Sequence, residues 1–408
     1  MKILLVTYWT LPHVGGINSY VEVMKSGLEA LGHQVDVFAH GPGKTFFHLT
    51  DGSRIIDKAP LITLARRRIE AFCRMYAPRT TSLARLHEVE RYSLELAAVA
   101  LDLRRYDIIH AQDVIATYAL SRVRPRRVPL VATIHGPLLR ERLLKAPLGE
   151  KNRRYLALEE RLGLLAADRA ITPSHWLKAT LAKDYALTPG AITVIHTGLN
   201  IDLFRQRAAL GPRTVPDRGN RKVILCPARY TPVKGQRYLL SALSLLCRRR
   251  RDFVCWLAGD GPSRRVLEEQ ARRLRLGQHL AFLGARHDVP ALLSVADIVV
   301  LPSLLEGGVP YAVQEAQVAG KPVVASRVSG LTEIVEDGLT GLLVKPRSAE
   351  ALASALDRLL GDHVLRQEVG ARARTWGQDR WNSMRMIAET TAVYHELHRG
   401  EGPSWPHA

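Results

Sequence analysis

Short apolar runs recur along the chain, each followed by a polar or glycine-bearing turn and then by an amphipathic stretch. In the first half they are Lys2–Thr7, Val35–Ala39, Asp107–Gln112, Pro129–Ile134, Arg169–Thr172 and Ile192–Ile195. In the second they are Lys222–Ala228, Phe253–Ala258, His279–Leu283, Ile298–Leu301 and the run from Pro322. Runs this continuous predict parallel strands covered on both faces. The stretches between them carry a helical period. Tyr20, Val21, Met24, Leu28 and Leu31 share one face, Asn18 or Ser19 supplies the cap, and Gly32 ends the helix. Pro310 opens a later helix whose face is Ala312, Val313, Ala316 and Ala319, and Gly320 closes it.

The alternation predicts an α/β protein of two doubly wound halves in tandem. It breaks once, over Gln206–Asn220, where two prolines and two glycines interrupt any apolar period. That stretch is the expected linker, giving domains 1–205 and 206–377. Helices are expected over 156–167 and at the end of the chain. The last, within 378–398, has Met384, Ile387, Thr391 and Tyr394 on one stripe and is expected to pack back on the first domain. The tail, 399–408, is expected to be disordered. Residues 54–91 are less regular. Arg66, Arg67, Arg68, Arg74, Arg79 and Arg85 alternate with Leu61, Leu64, Ile69, Phe72, Met75 and Leu83. Two readings stand: a solvated face packed on a core, or peripheral contact with an anionic membrane surface.

The chain has 408 residues, too many for one ordinary core, and 47% hydrophobic residues, as a globular protein has. No run of 18 apolar residues occurs, so no membrane span is expected, and the opening apolar run is too short for a secretory signal. The cysteines, Cys73, Cys226, Cys247 and Cys255, are scattered, which argues against a zinc site or a disulfide framework. A cytoplasmic setting is the expectation. The net charge of +19 calls for anionic partners, but no nucleic-acid motif accompanies it.

Candidate chemistry collects where strands end. In Asp297–Val324 a strand leads to Glu306, then Gly307 and Gly308, then a helix bearing Glu315. Backbone amides and a helix N-terminus at a sheet's carboxyl edge suit an anion. Ionised carboxylates suit hydroxyls. The pairing points to a nucleotide-sugar site; the alternative is an ordinary crossover with solvated glutamates. Arg229 ends a strand and Lys234 begins a helix, so two cations oppose the helix dipole unless an anion lies between them. Gly259 turns the chain after another strand. In the first half, Gly15 and Gly16 precede a helix without forming a dinucleotide or ATP motif. His110 and His135 end strands, the latter before Gly136.

These segments, in this order, resemble the family-four retaining glycosyltransferases. The resemblance rests on Gly15-Gly16 with GHQV, ATIHG around His135, ITPSHWLK, ITVIHTGLNIDLF, ARYTPVKGQRYLL, LAGDGP, EGG…QEAQVAGKPVVAS and LTEIVEDGLTGLLV, and it spans nearly the whole chain. It implies the B-type fold, two Rossmann-like domains facing a cleft, with the donor on the second half and the acceptor on the first. Arg229 and Lys234 would hold the donor pyrophosphate, and a Gly16 amide would reach the same phosphates. Glu315 would accept ribose hydroxyls. Glu306 with the Gly307 and Gly308 amides would face the donor sugar, and Gly259 would belong to the donor site. His135 would lie near the sugar or the reacting bond. Two departures stand out: eight residues rather than seven separate the glutamates, and Asn200 stands where the family has an acid.

The implied reaction transfers a hexose or N-acetylhexosamine to an acceptor hydroxyl with retention, by attack from the leaving-group face. No Asp-x-Asp occurs, so the two cations would replace a metal ion, and no cofactor is expected. Partners implied are a nucleotide-diphosphate sugar and a carbohydrate or lipid-linked acceptor. The rivals are a nucleotide-sugar epimerase or hydrolase, a binding protein that kept the fold, and a surface-binding role driven by charge.

Overall fold

The computed structural model describes residues 1–13, 15–188, 190 and 192–400. The chain forms two compact units. One comprises Met1–Pro173, Leu177–Ile195 and the chain from Arg385; the other comprises Ser174–Trp176 and His196–Met384.

The first unit is built on β1 (Lys2–Thr10), α1 (Gly16–Ala30), β2 (Gln34–His40), β3 (Phe46–Leu49), β4 (Ile55–Asp57), α2 (Lys58–Tyr76), α3 (Ser82–Val99) and β5 (Ile108–Ala111). It continues with α4 (Val114–Val123), β6 (Leu130–Thr133), α5 (Leu138–Lys145), α6 (Glu150–Leu165), β7 (Arg169–Thr172), α7 (His175–Tyr185) and β8 (Ile192–Val194). Its strands lie in the order β4-β3-β2-β1-β5-β6-β7-β8. β1 pairs in parallel with both β2 and β5, and its residues Ile3–Val6 are fully buried. Helices on both faces remove such a strand from water, which is why it reads as a continuous apolar run.

The second unit holds α8 (Ile201–Ala209), β9 (Lys222–Pro227), α9 (Gln236–Leu246), β10 (Phe253–Ala258), α10 (Arg264–Arg273), β11 (Leu280–Gly284), α11 (Val289–Val295) and β12 (Ile298–Leu301). It goes on through α12 (Tyr311–Val318), β13 (Val323–Ser326), α13 (Leu331–Ile334), β14 (Gly341–Val344), α14 (Ala349–Gly361) and α15 (His363–Arg380). Its sheet is parallel, in the order β11-β10-β9-β12-β13-β14. The order reverses at β9 and β12, so the loops after those strands meet at a switch point. Arg229, Lys234 and Glu306 all lie in these two loops. The last helix, α16 (Ser383–His398), returns to the first unit.

Several local expectations change. α1 begins at Gly16 with Gly15 as its cap residue, so Asn18 and Ser19 sit inside the first turn. Asn18 Oδ1 instead accepts from the His13 amide at 3.2 Å. Residues 54–91 hold an edge strand and two helices, because β3 and β4 add antiparallel strands beyond β2. α5 was not anticipated, and α6 starts six residues before the expected 156.

The expected linker is helical through Ala209, and the units divide at 195/196 and 384/385 rather than 205/206 and 377/378. The reason is packing. Leu199, Phe204 and Trp381 are buried in the second unit's core, where Trp381 Nε1 donates to Gln317 Oε1 at 2.7 Å. Along α16, Ile387 and Tyr394 are buried while Met384 stays 45% exposed, so the apolar stripe begins one turn late. Gly27 of α1 makes this docking close: a Cβ there would overlap the Ile387 side chain. Of the expected tail, residues 401–408 lie outside the described residues.

Candidate functional site

At the switch point of the second unit, the loop after β9 carries Arg229 and a short 3₁₀ turn, Pro232–Lys234, ahead of α9. Gly235 joins turn to helix at φ 66°, and any Cβ there would overlap the Pro302 carbonyl oxygen. Glycine is needed on both counts. The Leu304 amide donates to the Val233 carbonyl at 2.7 Å, which pins the same turn to the loop after β12.

That seating brings Lys234 onto Glu306. Lys234 Nζ lies 2.6 Å from Glu306 Oε1, and the Ser303 hydroxyl donates to the same oxygen at 2.6 Å. Glu306 is buried, so the lysine and the hydroxyl compensate its charge where water does not. The Lys234 side chain stays 26% exposed. Arg229 is exposed and makes no ion pair with the described residues. Its carbonyl accepts from Gln236 Nε2 at 2.8 Å, which holds its backbone beside the first turn of α9. An exposed arginine, a half-buried lysine and the amides of a helix start therefore share one loop pair.

Glu315 stands in α12 beside Gln314. Burial pushes its carboxyl up to about 7, and the Arg207 guanidinium moderates the rise. No hydrogen bond or ion pair within the described residues compensates it. Gln314 is fully buried and donates to the Thr197 carbonyl and hydroxyl at 2.7 and 2.8 Å, which fastens α12 to the loop before α8. In that loop Asn200 caps α8, its Oδ1 accepting from the Leu203 amide at 3.0 Å. The amide thus does the capping that an acid would do. Gly307 and Gly308 lie between Glu306 and α12, with Gly307 buried. The Gly330 amide donates to the Glu306 carbonyl at 3.2 Å, so a neighbouring loop supports the glycines. Gly259 packs so close to the Ala228 carbonyl that a side chain would not fit.

In the first unit the polar groups around His135 are neutral and interlocked. His135 follows β6; its Nε2 lies 3.2 Å from Gln112 Oε1, and its ring meets Tyr20 edge-on at 4.7 Å. Burial lowers its pKa to about 4. His110 bridges Thr133 Oγ1 at 2.7 Å and the Tyr394 hydroxyl at 2.6 Å, and burial lowers its pKa to about 3. Both rings are neutral near pH 7. Gly16 starts α1.

The fold thus brings Arg229, Lys234, Glu306, Gly307 and Gly308 together in one loop pair, sets Glu315 on the next helix, and keeps His135 and Gly16 in the other unit. The resemblance implied that Glu306 faces a donor sugar; in the structure its Oε1 is held by Lys234 and Ser303. Sequence reasoning missed Ser303, which carries no pattern beyond ending a strand, and Gln112, whose role depends on which ring lies opposite.

Comparison with known proteins gives the family and the fold. The profile described as "Glycosyl transferases group 1" matches residues 213–376, and "Glycosyltransferase Family 4" matches residues 14–203. A glycogen synthase of Mycobacterium tuberculosis is 30% identical, covering 100% of this chain and 97% of its own length. An MMP alpha-(1->4)-mannosyltransferase of Mycolicibacterium hassiacum is 28% identical, over 97% of this chain and 98% of its own. Among solved structures, Anabaena HepE in complex with UDP-glucose superposes with a TM-score of 0.70 at 21% identity, covering 97% of this chain and 100% of that one. With a full-length relative at this identity, two profiles that share out most of the chain, and two Rossmann-like sheets, the chain belongs to the group 1, family-four type glycosyltransferases and is a hexosyltransferase of the B-type fold.

Proposed function

We propose that this enzyme transfers a hexose or N-acetylhexosamine from a nucleotide-diphosphate sugar to an acceptor hydroxyl, with retention of configuration and without a metal ion. The observation that carries the reading is the cationic loop pair: Lys234 on Glu306, with Arg229 uncompensated beside the start of α9. When the bond from the anomeric carbon to the β-phosphate oxygen breaks, negative charge grows on the departing diphosphate. Arg229, Lys234 and the α9 amides stabilise that charge, which is the role a divalent cation would otherwise fill. Lys234 has three donors, so it serves a phosphate oxygen while still holding Glu306. The acceptor oxygen bonds to the anomeric carbon on the same face, and its proton passes to the leaving phosphate oxygen.

Glu315 accepts ribose hydroxyls, which compensate its otherwise isolated carboxylate. The Gly16 amide, the glycine pair and Gly259 complete the donor site. His135, neutral at physiological pH, exchanges hydrogen bonds with sugar or acceptor hydroxyls without bringing a charge. A donor of this kind accords with relatives named for mannosyl transfer and glycogen synthesis, and with UDP-glucose in HepE. The excess of basic residues favours a lipid-linked or membrane-proximal anionic acceptor, as in cell-surface polysaccharide or glycolipid assembly in the cytoplasm. No described helix is long and apolar enough to cross a membrane.

The deciding experiment is a thermal-shift screen against UDP-, GDP-, ADP- and dTDP-sugars, because a ligand of the folded state raises the melting temperature with occupancy. One nucleotide series should stabilise the protein, with or without EDTA. The hit is then incubated with and without acceptor, and the product's anomeric configuration is read by NMR. Rapid turnover of the sugar nucleotide alone argues for the hydrolase or epimerase instead. An inverted product, or a strict need for a divalent cation, removes the mechanism.

A further inference from the structure

α2 is an unusual helix for a folded core. Of its 19 residues, only Lys58, Ala65 and Cys73 are buried. It is nonetheless firmly held. Asp57 caps it, accepting from the Ala59 amide at 3.0 Å, and Lys58 Nζ pairs with Glu90 of α3 at 2.7 Å. Its exposure is therefore a property of an ordered surface.

That surface is patterned. Ala65, Ile69 and Cys73 face inward at helical spacing. Leu64, Arg68, Ala71 and Met75, spaced i, i+4, i+7 and i+11, form one outward stripe, with Phe72 alongside. Leu64 is 39% exposed, Phe72 55%, Met75 70% and Tyr76 71%. Arg67 and Arg74 border the stripe on one side. The only acid of the helix, Glu70, lies beyond them on that same side, one turn from each of Arg66, Arg67 and Arg74. None of Arg66, Arg67, Arg68 and Arg74 pairs with a carboxylate within the described residues. Large apolar side chains clustered on a rigid surface signal a partner, and the guanidiniums between and beside them, of which Arg68 donates to the Tyr92 hydroxyl at 3.5 Å, set its charge.

We infer that the outer face of α2 docks on an anionic lipid bilayer, with Leu64, Phe72, Met75 and Tyr76 entering the interface and Arg67, Arg68 and Arg74 resting on lipid phosphates. A helix lying in the interface needs this combination: an apolar stripe for the acyl boundary, and flanking cations whose stems reach out to the headgroups. A polyanion such as nucleic acid would use the arginines but would leave the apolar stripe in water. The inference goes with the proposed lipid-linked acceptor, since a docked enzyme would meet such an acceptor in two dimensions. It is tested apart from that reading.

The full chain is floated with vesicles of phosphatidylcholine alone and of phosphatidylcholine with 30% phosphatidylglycerol (~30% being in the anionic range that attracts polybasic surfaces). Flotation is expected only with the anionic vesicles. F72S/M75S should reduce the bound fraction about tenfold or more at any salt concentration, since it removes apolar burial. R67E/R68E/R74E should abolish binding, as 0.5 M NaCl should weaken it in the unaltered protein (~0.5 M screening charges beyond about 4–5 Å). All these positions are exposed, and an unchanged melting temperature with an unchanged donor-induced shift shows that fold and donor site are intact. Absence of flotation, or flotation of either variant equal to that of the unaltered protein, overturns the inference without touching the transferase reading. Binding to a short duplex DNA that matches vesicle binding and is indifferent to F72S/M75S overturns it in favour of a general polyanion surface. Loss of the donor-induced shift in the unaltered protein strikes the transferase reading alone.

Discussion

The carboxyl edges of the two sheets use opposite electrostatics. In the second unit the loops after β9 and β12 gather Arg229, Lys234 and Glu306, with the carboxylate of Glu315 on the helix beyond. In the first, His135 and Gln112 of the loops after β6 and β5 adjoin His110, Thr133 and Tyr20, all neutral at pH 7, while the one carboxyl of the loop after β5, Asp113, is turned onto the Thr7 hydroxyl and the Tyr8 and Ala116 amides. A charged edge suits a ligand whose charge grows during reaction; a neutral, hydrogen-bonded edge suits hydroxyls that must be held without a competing cation. The same parallel architecture supports both, because strand-end loops change chemistry without changing the sheets.

The contrast breaks most sharply at Lys234. Lys234→Ala removes a cation from the leaving group and strands the buried Glu306 carboxylate with only Ser303 to compensate it. Turnover should fall about 10²–10³-fold or more, measured as kcat with saturating donor. Glu306→Gln in the same background should restore melting temperature but not rate. Unaltered kinetics in Lys234→Ala defeats the charged-edge assignment.

Arg229→Ala should cost less, roughly 10–10²-fold in kcat/KM, because the exposed guanidinium starts in high dielectric and gains strength only when the donor covers it. Salt titration checks this: the unaltered enzyme should lose donor affinity with ionic strength more steeply than the variant.

Glu315 sharpens the comparison through pH. Its carboxyl, raised to about 7, binds a proton that the unfolded chain releases nearer 4.5, so folding is penalised as pH rises through that interval. Glu315→Gln should therefore stabilise the free protein at pH 8 by on the order of 2 kcal/mol, a raised carboxyl being a folded-state cost. It should also weaken the donor about tenfold, a lost charge-assisted hydrogen bond being worth roughly 1.5 kcal/mol or more. In the unaltered enzyme donor affinity should fall as pH drops below about 7. A thermal-shift series across pH 6–8.5 (~1 unit either side of the carboxyl midpoint) reads all three.

His135 has the opposite sign. Its folded pKa of about 4 lies below the unfolded value of 6.5, so the unfolded chain binds more protons between them and stability is lost as pH falls through that window. His135→Gln should flatten the slope of denaturant stability against pH there, a change of about 1–2 kcal/mol across the window. Asp113 and Glu160 of the same unit, both raised by burial, pull the other way. The variant is therefore compared with the unaltered protein rather than with a flat baseline. An unchanged slope would show that the ring is hydrated and charged.

Much of this was legible in the linear chain. Continuous runs such as Ile298–Leu301 admit little but buried parallel strands, and Gly32 and Gly320 mark helix ends by local chemistry alone. The two cations ahead of α9 stand out because they contradict the helix dipole. Less could be read where the determinant is nonlocal. Nothing local separates Ile55–Asp57 from a loop; they become β4 because β3 offers an edge to pair with. The Gln206–Ala209 segment follows the packing of Phe204, not the prolines that come after it, Pro212 and Pro216. Met384 has the right spacing for a buried stripe and lies outside it because the helix has only begun.

The sequence by itself settled the succession of most of the buried parallel strands, the glycines and prolines that punctuate the chain, and the residue types at the strand ends, since each of these follows from local sterics and periodicity. Tertiary structure alone decided which strand-end residues meet. Lys234 reaches Glu306 because Gly235 lies against the Pro302 carbonyl, and Tyr394 reaches His110 across the whole first unit because α16 lies along α1 at Gly27. Close approach of distant segments is set by packing, which no local pattern encodes.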